Sequence, residues 1–384
     1  MPTIEELAAD PHGAHAALRQ VGPVVPVASL GGWLVTTHAA AAAVLRDEET
    51  FTVDDLRFST AQVIGKSMLS LDGAEHARHR SPFARGFGRR ALEELYQGRI
   101  ERTATRLVTD IAPAGSAEMR TSLASPLAVD SAATVLGLRD VDHAELRSWY
   151  DAIVAAVDEI SAGREAGGSG RVAFEALSVA VTSAGSGAAL QEARAVLTPA
   201  ELASNAAVVL FGAIETGEGM IANLLWHVFG NEAIARAART DGSLVSRSVE
   251  ESLRLEPAAG RVDRYATRDT TVGDARIASG DLVIVSLAAA NRDPDVFPDP
   301  DRFDPDRANV RDHLAFAVGP HACPGAHLAR FEAEAALGAV LAGVPDARLV
   351  GGRSEAPTGL VFRKAKRVTL EWGSPETRQH HPEP

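Results

Sequence analysis

The segment Phe316-Ala-Val-Gly319-Pro-His321-Ala-Cys323-Pro-Gly325 holds the single cysteine of a 384-residue chain, and the reading of the whole chain turns on it. Glycines at 319 and 325 flank the sulfur, and a helix is predicted to start near Ala326. Glycine lets backbone N–H groups approach a sulfur closely, and a helix N-terminus favours negative charge. A thiol so placed is expected to be held as thiolate, the form that binds metals. One cysteine excludes an internal disulfide and any zinc site that needs several thiolates. A zinc site made of His321, Cys323 and His327, with hydrolytic chemistry, stays open as a rival.

Downstream of the loop, an amphipathic helix is predicted towards Val344, then strands between Leu360 and Trp372, with Gly373 onward (374–384 above all) a loose tail. Upstream, Asn291 to Asn309 is rich in Pro and Asp and is expected to be irregular, and Gly273 to Val285 alternates like a strand pair around Gly280. Further back, Thr198-Pro199-Ala200-Glu201 carries the start signals of a helix: an N-cap, a first-turn proline and a capping-box glutamate. That helix is predicted to reach Gly230, roughly 30 residues or about 45 Å, enough to cross a domain.

Its middle breaks the local rules. Gly212, Gly217 and Gly219 each cost up to about 1 kcal/mol relative to alanine. Glu215-Thr216 places a carboxylate and a hydroxyl after the apolar run Ala206 to Ile214, and burying a lone carboxylate is expensive. Sites where sequence logic fails tend to be functional. The plainer alternative puts Glu215 on a solvent-facing side of the helix.

Ala91 to Ile111, Pro126 to Leu136 and Ala144 to Ile160 also show helical spacing, and Ala162 to Gly170 reads as a glycine-rich loop, either a lid or plain surface. Val24 to Val35 reads as a strand pair turning at Gly31-Gly32, with a helix following from Ala39. The expected fold is mainly α with small β-sheets, in one domain over residues 1–384, since no linker or repeat divides it.

With 46% hydrophobic and 23% charged residues the chain can bury a large core. A net charge of -13 disfavours nucleic acid and anionic membrane as partners. Met1 to Gly22 has neither a signal-peptide core nor a membrane anchor, so a cytoplasmic protein is expected. One stretch runs against the charge: Arg78, Arg80, Arg85, Arg89 and Arg90 with no acid between His76 and Arg90.

Phe316, Gly319, Cys323 and Gly325 together resemble the haem-binding loop of the cytochrome P450 family; many members carry glycine where this chain has Ala317. Three more matches follow in the family's order. Glu251-Ser-Leu-Arg254 resembles the Glu-x-x-Arg element, with Arg307 in the place of its third partner. Gly212-Ala213-Ile214-Glu215-Thr216 resembles the oxygen-activation motif, although Gly217 stands where a second threonine is common. Asp72 to Arg80 resembles the propionate-binding helix, in which Pro82 is expected to introduce a kink.

The resemblance implies a P450 fold with haem b (iron protoporphyrin IX) between the long central helix and the cysteine-loop helix, and Cys323 thiolate on the iron. It assigns His76, Arg80, Arg264 and His321 to the haem propionates, room for dioxygen to Ala213, and proton delivery to Glu215 and Thr216. Glu251 to Arg254 is then structural, as is His313. The thiolate favours O–O cleavage, so the implied activity is a monooxygenase or oxidase using O2 and two electrons supplied from outside. No nicotinamide or flavin fingerprint is found, which implies ferredoxin and ferredoxin reductase as donors, docked on the arginine stretch. The substrate is expected to be a small molecule, of natural-product type, in a pocket lined near 63–69, 162–171, 208–213, 260–262 and 359–361. Cyclisation, coupling or desaturation remain open in place of hydroxylation, as does a haem-binding member without catalysis. A monomer is the default expectation.

Overall fold

The structure, a computed structural model, describes residues 1–84, 86–161, 163–184 and 188–373. Arg85, Ala162 and the expected tail at 374–384 lie outside the described residues.

The long helix, Pro199–Phe229, begins as its sequence dictates: the Thr198 side chain accepts from the Glu201 N–H, and the Glu201 carboxylate accepts from the Thr198 N–H. It runs unbroken through its three glycines. A Cβ at Gly217 would lie 3.1 Å from Glu332 Oε2, and one at Gly219 would lie 3.3 Å from the Cβ atoms of Ala258 and Lys364. Close packing, rather than a break in the helix, accounts for these two. Helices Ser125–Leu136, Gly168–Ser183 and Ala326–Gly343 pack around it. Leu210, Ile214, Ile221, Leu224 and Leu225 are buried there, each stabilising the fold by about 1.5–3 kcal/mol. The helix is long and apolar enough to cross a membrane, but 67% of its most apolar window is buried inside this protein.

A five-stranded sheet flanks the helices in the order Val24–Val27, Gly32–Val35, Leu282–Ser286, Arg261–Ala266, Phe51–Thr52. The pair Gly32–Val35 and Leu282–Ser286 is parallel, with Trp33 opposite Val283; the other pairs are antiparallel. A short hairpin, Pro357–Thr358 with Lys364–Ala365, lies against the long helix. Thr369–Glu371 forms the centre of a third sheet, between Ser116–Glu118 and Arg348–Leu349.

Several expectations need correction. Gly273 to Val285 is not one strand pair: Thr270–Val272 pairs with Ala275–Ile277 around Gly273, while Leu282–Ser286 joins the large sheet. Alternation marks strands but not their partners. The helix expected over Ala91 to Ile111 is two, Arg89–Leu95 and Gln97–Ile111, separated at Tyr96. The loop expected at Ala162 to Gly170 ends earlier, since a helix begins at Gly168. The first two strands are joined by a short 3-10 turn, Ala28–Leu30, before Gly31.

Candidate active site

The cysteine loop folds back on itself through the Cys323 N–H, which donates to the Phe316 carbonyl at 2.8 Å, and the Ala322 N–H, which donates to Gly319 at 3.1 Å. Gly319 has φ +80, and a Cβ there would lie 2.4 Å from the Leu45 carbonyl oxygen. Only glycine therefore lets the loop lie on helix His38–Arg46. Ala317 sits at φ +53, the left-handed region, which gives the family's frequent glycine at this position a physical reason. The Phe316 ring is covered by the Arg330 guanidinium at 4.6 Å, and Arg330 is in turn held by Glu250.

Cys323 is an exposed residue within this folded loop. Burial pushes its thiol pKa up, and the Gly325 N–H, Arg80 and Arg330 pull against this without reversing it. The Gly325 N–H, Arg80 and Arg330 thus favour the thiolate against burial, and a metal cation on the sulfur would favour it further.

His76 and Arg80, one turn apart on helix Gly73–Ala84, meet the loop. Arg80 donates to the Ala322 carbonyl. The rings of His76 and His321 are 4.2 Å apart between centroids. His76 is buried, its Nε2 has no partner, and burial, helped by His321 and Arg80, lowers its pKa to about 4. His321 Nε2 lies 2.7 Å from Asp72 Oδ1. Burial would raise the Asp72 carboxyl, but hydrogen bonds from His321, Thr52 and Val53 hold it well below the usual range. Glu48, which the sequence did not single out, brings an unpartnered Oε2, and one ligand atom each from Glu48, His76 and His321 lies within 4.8 Å of the others. Arg264 is buried on the sheet, with Nη1 donating to the Asp263 carbonyl at 2.8 Å.

On the long helix, Gly212 has nothing within 4 Å of an added Cβ, and Ala213 beside it is partly buried. Thr216 Oγ1 donates to the Gly212 carbonyl at 2.5 Å. Glu215 does not turn to solvent, nor do the two side chains bond to each other. Its carboxylate accepts from the Tyr150 hydroxyl at 2.6 Å and pairs with Lys364 at 2.8 Å. Lys364 also pairs with Glu218 at 3.2 Å, and Glu218 is completely buried with Arg120 at 2.7 Å and Arg147 at 2.8 Å. Burial would raise Glu218, but Lys364 and the two arginines hold it at about 2. A second unexpected acid is Glu332, on the cysteine-loop helix. Burial pushes it up to about 8, Oε1 has no partner, and Asp130 adds to the rise while Ser131 opposes it.

Glu251 and Arg254 are both fully buried and bonded twice, at 2.8 Å each. Arg307 approaches Glu251 at 3.3 Å, as expected, and Asp304 N–H donates to the same oxygen at 2.9 Å. Arg254 and Arg307 also donate to the carbonyls of Asn291, Pro298, Asp299, Pro300 and Arg302. Two guanidinium groups thus order the irregular stretch that leads to the cysteine loop. His313 pairs with Glu250 at 3.1 Å in a buried contact, as a structural residue should.

These features define a helix-rich protein whose cysteine loop is held between helix His38–Arg46 and helix Gly73–Ala84. A family profile described as cytochrome P450 matches residues 223–343. Cytochrome P450 monooxygenase PikC of Streptomyces venezuelae is 34% identical over 369 residues, covering 90% of this chain and 86% of the relative. Nocardicin C N-oxygenase of Nocardia uniformis subsp. tsuyamanensis is 31% identical over 406 residues, covering 97% and 98%. Among solved structures, the post-tailoring hydroxylase HmtN, involved in himastatin biosynthesis, superposes with a TM-score of 0.83 at 25% identity, covering 97% of this chain and 100% of that one. The chain belongs to the cytochrome P450 family and is a P450 monooxygenase. That removes the zinc hydrolase and the non-catalytic member as readings. The family's cofactor is haem b on a cysteine thiolate, and Cys323 is the single cysteine available. The residues present fit it: an exposed cysteine, an unpartnered His76 Nε2, the cation Arg80 close to both, and Arg264 close to Asp72, the partner of His321.

Proposed function

We propose that this chain, acting as a single domain, oxidises a small natural-product intermediate, with Cys323 on the haem iron and His76, Arg80, Arg264 and His321 around the propionates. Bound haem supplies dioxygen activation, and the thiolate favours O–O cleavage. The protein's part is positional. Phe316, Gly319 and Gly325 shape the cysteine loop, and Gly212 with Ala213 leaves space on the opposite wall. Thr216 holds a hydroxyl proton at the Gly212 carbonyl, and Glu215 holds a carboxylate between Tyr150 and Lys364. These two groups deliver protons to the cleft. The substrate class rests on the relatives: nocardicin C N-oxygenase and the himastatin-pathway hydroxylase are biosynthetic enzymes by name.

Electrons come from a separate protein, and we favour a ferredoxin with its reductase, in the cytoplasm. The basic stretch supports this less than its sequence suggests. Arg78 is paired with Glu75 and Glu201, Arg89 with Glu93, and Arg90 with Glu94. Docking there depends on local exchange of partners rather than on a free positive field.

The observation that carries the proposal is the Cys323 sulfur exposed within its folded loop. Reduced protein exposed to carbon monoxide should show the strongly red-shifted Soret band of thiolate-ligated haem, and Cys323→Ser should lose it. An unshifted band in the native chain, or a shifted band surviving in Cys323→Ser, overturns the assignment.

A further inference from the structure

Glu256 directly follows the helix that carries Glu251 and Arg254, and it is 5% exposed. Two guanidinium groups and an imidazole converge on its carboxylate: Arg363 Nε at 2.5 Å, Arg292 Nη2 at 3.4 Å and His12 Nε2 at 2.9 Å. Arg363 is also buried, and its other nitrogens donate to the carbonyls of Pro357, Gly359 and Ala8. The Gly359 N–H donates to the Ala8 carbonyl at 2.7 Å. The loop 357–363 is therefore fastened to the N-terminal helices, Ile4–Ala9 and His12–Val21, by a direct backbone bond and by the relay His12–Glu256–Arg363.

The loop is tight and packs against the long helix. Gly359 has φ +125, and a Cβ there would lie 1.8 Å from the Phe362 carbonyl oxygen. On its inner edge Gly260 N–H donates to Val361 at 2.8 Å and Arg363 N–H to Ala258 at 2.9 Å. The Phe362 ring stands edge-on to Phe211 at 5.2 Å, and Phe211 immediately precedes Gly212 on the long helix. A hairpin with only two paired residues per strand is marginal alone. Its anchors must supply the order.

We propose that Glu256 and His12 are positioning residues for substrate: the N-terminal helices act as a strap that sets Phe362 against Phe211, so a buried polar relay outside the pocket governs which molecules fit. This rests on the haem-site reading above. The anchor is buried, so Glu256→Gln leaves Arg363 and Arg292 without their acid, while His12→Ala removes the imidazole link from that carboxylate to the N-terminal helices; either change loosens the loop. A small ligand that never reaches Phe362 should not sense the change, whereas a ligand with an added ring should.

Haem-loaded full-length protein, titrated with imidazole and with 4-phenylimidazole and followed by the shift of the haem band, tests this. Phe362→Ala provides the reference for a displaced ring. His12→Ala and Glu256→Gln should keep imidazole affinity within about twofold, and should shift 4-phenylimidazole affinity by about fivefold or more in the direction of Phe362→Ala. Amide exchange at Gly359 and Gly260 should accelerate in both. Should Glu256→Gln fail to fold, His12→Ala carries the test alone, since His12 lies at the edge of the cluster with 17% of its side chain exposed. An unchanged ratio of the two affinities in folded His12→Ala overturns the proposal. Failure of the native chain to bind imidazole at all would instead count against the haem-site reading.

Discussion

Glu251, Arg254 and Arg307 form one buried polar cluster beside the cysteine loop; Glu48, His76 and His321 form another, and the two are finished differently. In the first, both Glu251 oxygens and all three Arg254 nitrogens have partners within the protein. In the second, His76 Nε2 and Glu48 Oε2 have none, and two imidazoles sit 4.2 Å apart. Buried polar groups are nearly always satisfied. A cluster closed by the chain itself is scaffold, and a cluster that the chain leaves open is completed by a ligand. Both pair one glutamate with two basic residues, arginines in the first and histidines in the second, and it is completeness that separates them.

The largest expected effect is on the closed cluster. Glu251→Ala leaves Arg254 and Arg307 buried without their acid and should cost about 3–5 kcal/mol, seen by urea unfolding or as loss of soluble haem protein. A cost below about 1 kcal/mol would erase the contrast.

Glu332 sharpens it, as an unmet bond away from the histidine cluster. Its folded pKa, about 8, lies above the unfolded value of 4.5, so the folded state keeps a proton that the unfolded state has lost. Stability should be full below pH 4.5 and decline as pH rises towards 8, by a few kcal/mol. Glu332→Gln should flatten that slope; an equal slope in the variant would refute the assignment.

At the open cluster two readouts should part. His76→Leu should leave the haem-free protein as stable or about 1 kcal/mol more stable, since it removes an unsatisfied group. The same change should speed haem transfer to apomyoglobin about tenfold, as expected when a supporting ligand contact is lost. The His76 pKa, about 4, lies below its unfolded value of 6.5. Its contribution is therefore present above pH 6.5 and lost as pH falls through 4, and His76→Leu should remove that part of the acid sensitivity. Matched losses in stability and haem retention would make His76 scaffold after all.

The smallest effect is at the loop. Ala317→Gly should relieve the left-handed strain and stabilise by about 1 kcal/mol or less, because glycine's added freedom in the unfolded chain offsets part of the gain. A destabilised variant would show that the Ala317 methyl packing outweighs the strain.

Much of this was legible because its signals are local. The cysteine loop, the capping box at Thr198 and the i,i+3 pair Glu251–Arg254 need only neighbours in sequence, and the structure has each in place. Arg307 was reached by order along the chain and pairs as expected. What escaped depends on distant segments. Glu215 meets Tyr150 from 65 residues away and Glu218 meets Lys364 from 146 residues away, and no spacing rule reports such contacts. Glu48 and Glu332 look like ordinary surface acids in sequence; burial alone marks them out. The strand pair around Gly280 failed for the same reason, since the turn is real but the partners of its strands lie elsewhere.

The charges on the hairpin Pro357–Thr358 with Lys364–Ala365 impose an order on synthesis. Glu218 leaves the ribosome 146 residues before Lys364, an interval of roughly 7–30 s at ordinary elongation rates of about 5–20 residues per second. Glu256 waits similarly for Arg363, 107 residues later. Throughout that time each carboxylate lacks one of its partners in the finished protein, so Glu218 on the long helix settles first with Arg120 and Arg147 and is fully paired only when the hairpin arrives. A stop codon even slightly before residue 363 would leave Glu218 with Arg120 and Arg147 alone and Glu256 with His12 and Arg292 alone, each short of one partner for good.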